Sequence, residues 1–283
     1  LHAVEKLPGH VGDHLLPGLG VVVDVGHKVR VDLAVFSPEE YRRFLGTVDP
    51  DLMCHIHDDP QAWEEVVSDV AWELLYRMEP ELYARLTAGE RLHPGILGWI
   101  PQRIDRAVEV GCGWGRLTLQ LAPRCGELIG LEPAEPLRRG LESLLERAGH
   151  RHCEVLDGFL NAIPVPDGWA DMTFTCSAFS CDSVHGGDPG LAELDRVTRT
   201  GGVVVLVWPP RNRKWLEERG FQLVGFPGDL GVEFASLQEA VELAQIFYPA
   251  AAGAVAARGS RRVPWEVLGI GGPNALAWRT VTR

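Results

Sequence analysis
This chain has little of what marks a nucleic-acid or membrane protein. Of its 27 basic residues only 3 are Lys, and its formal net charge is −12. An acidic excess of that size repels phosphate backbones and anionic lipid alike, so neither nucleic-acid binding nor a membrane surface is expected. The scarcity of Lys reads as the mark of a GC-rich genome rather than of a binding surface. No apolar run approaches the ~18 residues of a membrane span, and no signal peptide is read. Residue 1 is Leu, which implies a trimmed start or an unusual start codon. The six cysteines, at 54, 112, 125, 153, 176 and 181, include no C-x-x-C pair. They are expected as reduced thiols in the cytoplasm. Apolar residues at 46% and charged ones at 23% are ordinary for a folded chain. Its 283 residues exceed the ~100–200 of a usual single domain, so one α/β domain with an appended segment is expected.

What is present centres on residues 107–115, Ala-Val-Glu-Val-Gly-Cys-Gly-Trp-Gly. A short apolar run, Ala107 to Val110, meets glycines at 111, 113 and 115, then a helix-compatible run, Arg116 to Ala122. The spacing predicts strand, tight loop, helix. Glycine suits a backbone that must turn sharply or let a ligand approach closely. The dinucleotide fingerprint G-x-G-x-x-G puts its third glycine five residues after the first. Here that position is Arg116, and the third glycine comes one residue early, which disfavours an NAD-dependent oxidoreductase. A second apolar run, Leu128 to Leu131, ends in Glu132, and a third strand, Cys153 to Leu156, ends in Asp157-Gly158-Phe159. Between them Leu137, Leu141, Leu144 and Leu145 predict a helix over Ala134 to Ala148.

The E-x-G-x-G-x-G string from Glu109 to Gly115 resembles motif I of the class I S-adenosylmethionine (SAM)-dependent methyltransferases, and the resemblance extends over roughly residues 100–225. It implies that Glu109 lies near the SAM amino group and that Gly111, Cys112, Gly113 and Gly115 pass under the methionine and ribose. It makes Glu132, with Pro133 behind it, the ribose acid. It sets Asp157 on the adenine amino group, with Gly158 and the Phe159 backbone N–H at the ring edge, and counts Ser177 among the cofactor-binding residues. The stretch Ile163 to Asp171 is similar to the family's lead into strand four, although Trp169 and Ala170 are shifted from the usual Phe-acid order. Ala192 to Gly202 and Val203 to Trp208 are similar to its helix, Gly-Gly turn and fifth strand, with Thr198-Arg199-Thr200 where Leu-Lys-Pro is common. The implied fold is α/β: a seven-stranded, doubly wound sheet of order 3-2-1-4-5-7-6 with the last strand antiparallel.

The N-terminal third stands apart from that fold. Alternating valines at 21–25 and 29–35 predict a β-hairpin closed by Gly26-His27-Lys28. Ser37-Pro38-Glu39-Glu40 reads as a helix start, Asp59-Pro60 as a second with Trp63, Val66, Val67, Val70 and Leu74 in one stripe, and Pro80 to Ala88 as a third. Further on, Lys214 to Gly220 is expected as a helix and Phe221 to Phe226 as the sixth strand. Ser236-Leu-Gln-Glu239 is a capping box opening a helix through Tyr248, and Ala275 to Val281 is the last strand. The expected domains are 1–95, a hairpin and helical cap, and 96–283, the SAM-binding domain with a helical insert at about 236–268. The cap and insert are expected to cover the substrate.

A methyl group on a cationic sulfur is already activated, so transfer requires mainly alignment and exclusion of water. A base is needed only where the acceptor must first lose a proton. His185, in the loop after strand four, is the candidate catalytic residue. Trp114 either packs under a helix or walls the SAM pocket. Cys54-His55-Ile-His57-Asp58-Asp59 invites a metal, but Asp59 is explained as a helix cap, and no metal is expected. The reading is a methyltransferase acting on a small-molecule acceptor, with a homodimer as one arrangement. The alternatives are a protein or RNA-base methyltransferase, or a SAM-binding regulatory or assembly protein without methyl transfer. Ser177-Ala178-Phe179 at the strand-four end differs from the Asn/Asp-Pro-Pro-aromatic string of amino-methylating nucleic-acid enzymes.

Overall fold
The computed structural model describes residues 72, 73, 75–183 and 185–282. The expected hairpin, the helices at Ser37 and Asp59 and the Cys54–Asp59 cluster lie outside the described residues. Two compact units divide the chain: residues up to Leu86 with Val232–Ile270, and Thr87–Gly231 with Gly271 onward. Among the described residues no helix is long and apolar enough to cross a membrane.

The larger unit is built on a seven-stranded sheet. Its strands are β1 (Ile104–Val110), β2 (Cys125–Leu131), β3 (Cys153–Leu156), β4 (Ala170–Cys176), β5 (Thr198–Val207), β6 (Gln222–Gly225) and β9 (Ala275–Thr280). Their order is β3-β2-β1-β4-β5-β9-β6. The first five pair in parallel, and β9 runs antiparallel to both β5 and β6. This is the expected order, with β9 as the seventh strand of the sheet. Between β6 and β9 a two-stranded ribbon, β7 (Gly231–Glu233) with β8 (Arg262–Pro264), accompanies the expected helices.

Both faces of the sheet are covered, so its central strands read as near-continuous apolar runs. Val205 and Val207 of β5 face one core with Ile96, Leu117, Leu121, Leu128 and Leu141; Val204 and Leu206 face the other with Leu131, Leu191, Leu194 and Leu216. Helices α2 (Pro94–Trp99), α3 (Thr118–Leu121) and α4 (Glu135–Arg147) bring side chains to the first core, and α5 (Gly187–Val197) and α6 (Arg213–Glu218) to the second. Helix α3 is shorter than the expected Arg116–Ala122. Pro123 lies in the 3₁₀ turn Ala122–Arg124 that follows and has no N–H to continue an α-helix.

In the smaller unit α1 (Pro80–Ala88) and α7 (Leu237–Phe247) are joined by Arg85, which donates to Glu239 and Glu242 at 3.0 and 3.1 Å. The Ser236 half of the capping box holds as expected, its Oγ accepting from the Glu239 N–H at 3.0 Å, while Glu239 reaches one residue further back and accepts from the Ala235 N–H. Helix α8 (Ala252–Arg258) ends on Gly259 at φ +64°, and α9 (Trp265–Leu268) buries Trp265.

One glycine carries a specific packing role. A Cβ on Gly140, in the middle of α4, would stand 2.4 Å from the Trp114 ring. Trp114 therefore packs on α4. In an open helix Gly→Ala stabilises by ~1 kcal/mol. Gly140→Ala should instead destabilise by ~1–3 kcal/mol, because the indole must be displaced. Denaturant unfolding measures this, and in a Trp114→Leu background the sign should revert. A stabilised Gly140→Ala in the parent background would show that the ring does not depend on this seat.

Candidate functional site
The carboxyl ends of β1, β2 and β4 converge on the glycine loop. Gly111, Gly113 and Gly115 adopt φ of +73°, +53° and +95°, a region open to glycine and costly to other residues. A Cβ on Gly111 would meet Ala178 at 2.3 Å, and one on Gly115 would meet Leu141 at 2.5 Å. The loop is thus packed from both sides, and its exposed edge is bare backbone.

Four of the loop's N–H groups are already committed. Those of Gly111 and Cys112 donate to the Leu131 carbonyl at 2.8 and 3.0 Å, and that of Gly115 to the Cys112 carbonyl. The Gly113 N–H donates to Glu132 Oε2 at 3.0 Å. Dinucleotide sites bind a pyrophosphate through such groups at a helix start. Here a carboxylate sits on one of them, and it would repel a phosphate. The loop chemistry favours a neutral or cationic ligand.

Glu132 lies at the tip of β2 and is buried. Its other oxygen, Oε1, accepts from the Ala134 N–H at 2.9 Å, at the N-cap of α4. Each carboxylate oxygen has two acceptor directions, so these bonds leave capacity for hydroxyl donors. Arg138 Nη1 donates to the carbonyls of Glu132 and Pro133 at 2.7 and 2.8 Å and to Asp157 Oδ1 at 3.2 Å. It ties the tip of β2 to the residue after β3. Asp157 remains exposed, and so does Phe159, a residue 58% accessible. Gly158 beneath them is closely packed, since a Cβ would meet Pro164 at 3.0 Å.

Glu109 is fully buried in β1, and its Oε2 accepts from Thr118 Oγ1 at 2.7 Å. Burial pushes its carboxyl up to about 8, against the opposing effects of the Thr118 hydrogen bond and the Arg116 charge. It is held largely protonated at neutral pH. Cys112 contributes backbone to the loop, while its thiol packs toward Gly130 in the core. Burial raises that thiol, reinforced by Glu109 and Glu132.

On the other side, Ser177 follows β4 with φ +60° and Trp208 follows β5 with φ +52°. Left-handed backbone at a non-glycine residue costs roughly 1–2 kcal/mol, and such strain gathers at functional sites. The Arg116 guanidinium lies 5.3 Å from the Trp208 ring centroid and pairs with the buried Glu90 carboxylate.

His185 stands in the loop after β4, about half exposed. Its backbone N–H donates to Asp182 Oδ1 at 2.8 Å, and its Nδ1 lies 3.5 Å from the same oxygen. Ser180 Oγ also donates to Asp182. The His185 and Ser180 hydrogen bonds hold the Asp182 carboxyl well below the usual range.

Sequence reasoning named Glu109, the glycines, Glu132 and Asp157, and these gather along the ends of β1, β2 and β3. It missed Thr118, Arg138, Glu90 and Trp208 as parts of the site. Thr118 follows the loop closely enough for local reading to reach it. Glu90 and Trp208 meet Arg116 only through folding.

A methyltransferase domain family matches residues 107–202. An uncharacterized methyltransferase from Mycobacterium tuberculosis is 29% identical over 141 residues, covering 48% of this chain and 54% of its own length. Another, from Alkaliphilus oremlandii, is 30% identical over 99 residues, covering 35% and 43%. The chain thus spans about half the length of the curated relatives it matches. A solved putative methyltransferase from Bacillus halodurans shares 15% identity over 71% of this chain and 99% of that one, with a TM-score of 0.44, too distant to carry an argument. The strand order is that of the class I methyltransferase fold, and the methyltransferase domain match falls within that sheet.

The buried acid sets a pH dependence. A folded-state pKa near 8, against an ordinary 4.5, gives stability that is full below 4.5 and declines as pH rises toward 8. Glu109→Gln keeps an acceptor for Thr118 and removes the titration. Its melting temperature in ligand-free protein, relative to the parent, should rise between about pH 5 and about pH 8.5. A difference that does not vary with pH would show that Glu109 is hydrated rather than buried.

Proposed function
We propose that the chain is a SAM-dependent methyltransferase that transfers a methyl group to a small-molecule acceptor. The observation that carries this reading is the glycine loop itself. Its N–H groups are turned inward, one of them is held by Glu132, and a buried acid lies behind it. That arrangement fits a cationic, nucleoside-bearing ligand and opposes a pyrophosphate. When bound, SAM supplies a methyl group on a cationic sulfur, already activated toward displacement.

The residues of this chain then have distinct tasks. Glu132 would accept from the ribose hydroxyls, using the directions not taken by Gly113 and Ala134. Asp157, oriented by Arg138, would accept from the adenine amino group, with the exposed Phe159 ring beside it. Glu109 would meet the donor's ammonium and give up its proton as it does so. The strained turns at Ser177 and Trp208 mark the acceptor end, past β4 and β5. His185, held on Nδ1 by Asp182, would present Nε2 as a base for an acceptor that must lose a proton. The net charge of −12 supports a small acceptor over nucleic acid.

Calorimetry tests the donor half. S-adenosylhomocysteine should bind and NAD should not. Glu132→Ala should weaken that binding by ~1–3 kcal/mol, and Asp157→Ala should cost more than Asp157→Asn. Unchanged affinity in folded Glu132→Ala protein would remove the ribose assignment. The acceptor half is tested by incubating the protein and SAM with a metabolite extract and following masses. A metabolite that gains one methylene supports transfer. Donor binding without any such product would instead support a SAM-binding regulatory protein.

A further inference from the structure
The carboxyl ends of β5 and β6 meet a short turn, residues 271–275, that leads into β9. Four contacts run from this turn. The Trp208 N–H donates to the Ala275 carbonyl at 2.9 Å, the Phe226 N–H to that of Asn274 at 2.8 Å and the His93 N–H to that of Pro273 at 3.0 Å. The Arg211 guanidinium lies against Gly271, where a Cβ would stand 3.6 Å from Nη2. Trp208 also follows Val207, whose carbonyl holds the Ser177 N–H at 3.1 Å. One turn therefore joins four residues to the edge of the site past β4 and β5.

Two of the four carry donors that nothing answers. His93 caps α2: its Nδ1 accepts from the Gly95 N–H at 2.9 Å, which assigns the ring proton to Nε2. The ring lies nearly parallel to Phe226, with centroids 5.6 Å apart. Nε2 faces Gly228, where a Cβ would come to 3.0 Å, and it has no hydrogen-bond partner among the described residues. Arg211 opens the run Arg-Asn-Arg-Lys. Arg213 pairs with Glu217 and Lys214 with Glu218 along α6. Arg211 is exposed and has no carboxylate partner among the described residues. The turn after β6 carries one acid, Asp229, and the residues before His93 one further exposed cation, Arg91. A chain of net charge −12 thus keeps an uncompensated guanidinium at this edge.

We propose that Arg211 and His93 form a subsite for an anionic group on the methyl acceptor, a carboxylate or a phosphate. The inference rests on reading the chain as a methyltransferase. A planar guanidinium fork suits either oxyanion, which it can meet with two parallel N–H bonds. His93 Nε2–H adds a third donor. Gly271 and Pro273, which the two residues touch, are at most about 7 Å apart between Cα atoms, a span that one small molecule covers. The half-buried rings of Trp208 and Phe226 offer apolar surface to the rest of it. An oxygen whose lone pairs are engaged by a guanidinium is a weak nucleophile. The anion is therefore a handle, and the methyl group goes to another atom of the acceptor.

The test uses three probes with one ring and different charge: benzoate, phenyl phosphate and benzamide. Saturation-transfer NMR on the full chain should show at least one of the two anions binding about three- to tenfold more tightly than benzamide, the scale of an exposed charge pair with its hydrogen bonds. The stronger of the two identifies the oxyanion. Arg211→Ala, at an exposed position, should bring the anion down to the benzamide level, and Arg211→Lys should keep part of the preference. His93→Asn retains a capping acceptor for Gly95 and loses Nε2–H, so it should weaken the anion by a smaller factor. Equal binding of the three probes, or none, overturns the proposal. So does an anion preference that survives Arg211→Ala. In a second arm a metabolite extract is split on an anion exchanger, and each fraction is incubated with the protein and methyl-labelled SAM. Label should enter the retained fraction; label confined to the unretained fraction overturns the proposal. If the probes behave as expected and neither fraction is labelled, the anion subsite stands and the methyl-transfer reading fails.

Discussion

The carboxylate of Glu132 is the tie on which the site depends. One oxygen holds the Gly113 N–H and the other the Ala134 N–H, so a single side chain at the tip of β2 fixes both the loop after β1 and the start of α4. Without it the loop would carry an unanswered buried N–H, and α4 would lose a first-turn acceptor. Trp114 depends on the same tie, because its ring reaches Gly140 only if loop and helix hold their spacing. Arg138 rises from α4 and closes the circuit by donating to the carbonyls of Glu132 and Pro133. A ligand that replaced water around this carboxylate would meet a group whose position is already determined.

Charge in the site is arranged by depth. Glu109 is wholly buried and kept near neutrality by desolvation, Glu132 is buried and satisfied by backbone, and Asp157 is exposed. The order resembles the charge order of the proposed donor, with its zwitterionic head at one end and an uncharged base at the other.

Much of this could be read from the sequence, because the informative contacts are short in sequence or fixed by sheet order. The third strand and the fourth helix follow from a run of four apolar-rich residues and from leucines at helical spacing; the structure has Cys153–Leu156 and Glu135–Arg147. The start of β2 was less legible. Cys125, Gly126 and Glu127 are half-exposed or exposed, and only their pairing with β1 makes them strand. The ribbon of β7 and β8 left no signal, since each strand is three residues long and buries one valine, Val232 or Val263. The glycine loop and its acids were legible as a local string with a known order of partners. The Glu90–Arg116–Trp208 cluster was not, because its members come from three separate places in the chain and no spacing rule joins them.

The inward-turned loop has a consequence for how such a protein can change. In a phosphate-binding loop affinity resides in the main chain, which substitution cannot easily alter. Here the main chain is occupied with itself, through Leu131, Cys112 and Glu132. On the proposed reading, recognition falls to exposed side chains at the rim: Asp157, Phe159 and the loop that carries His185. Being exposed, these side chains can be exchanged without reshaping the cradle. Such a scaffold, on that reading, can change its acceptor by drift at its edges while its centre stays as it is.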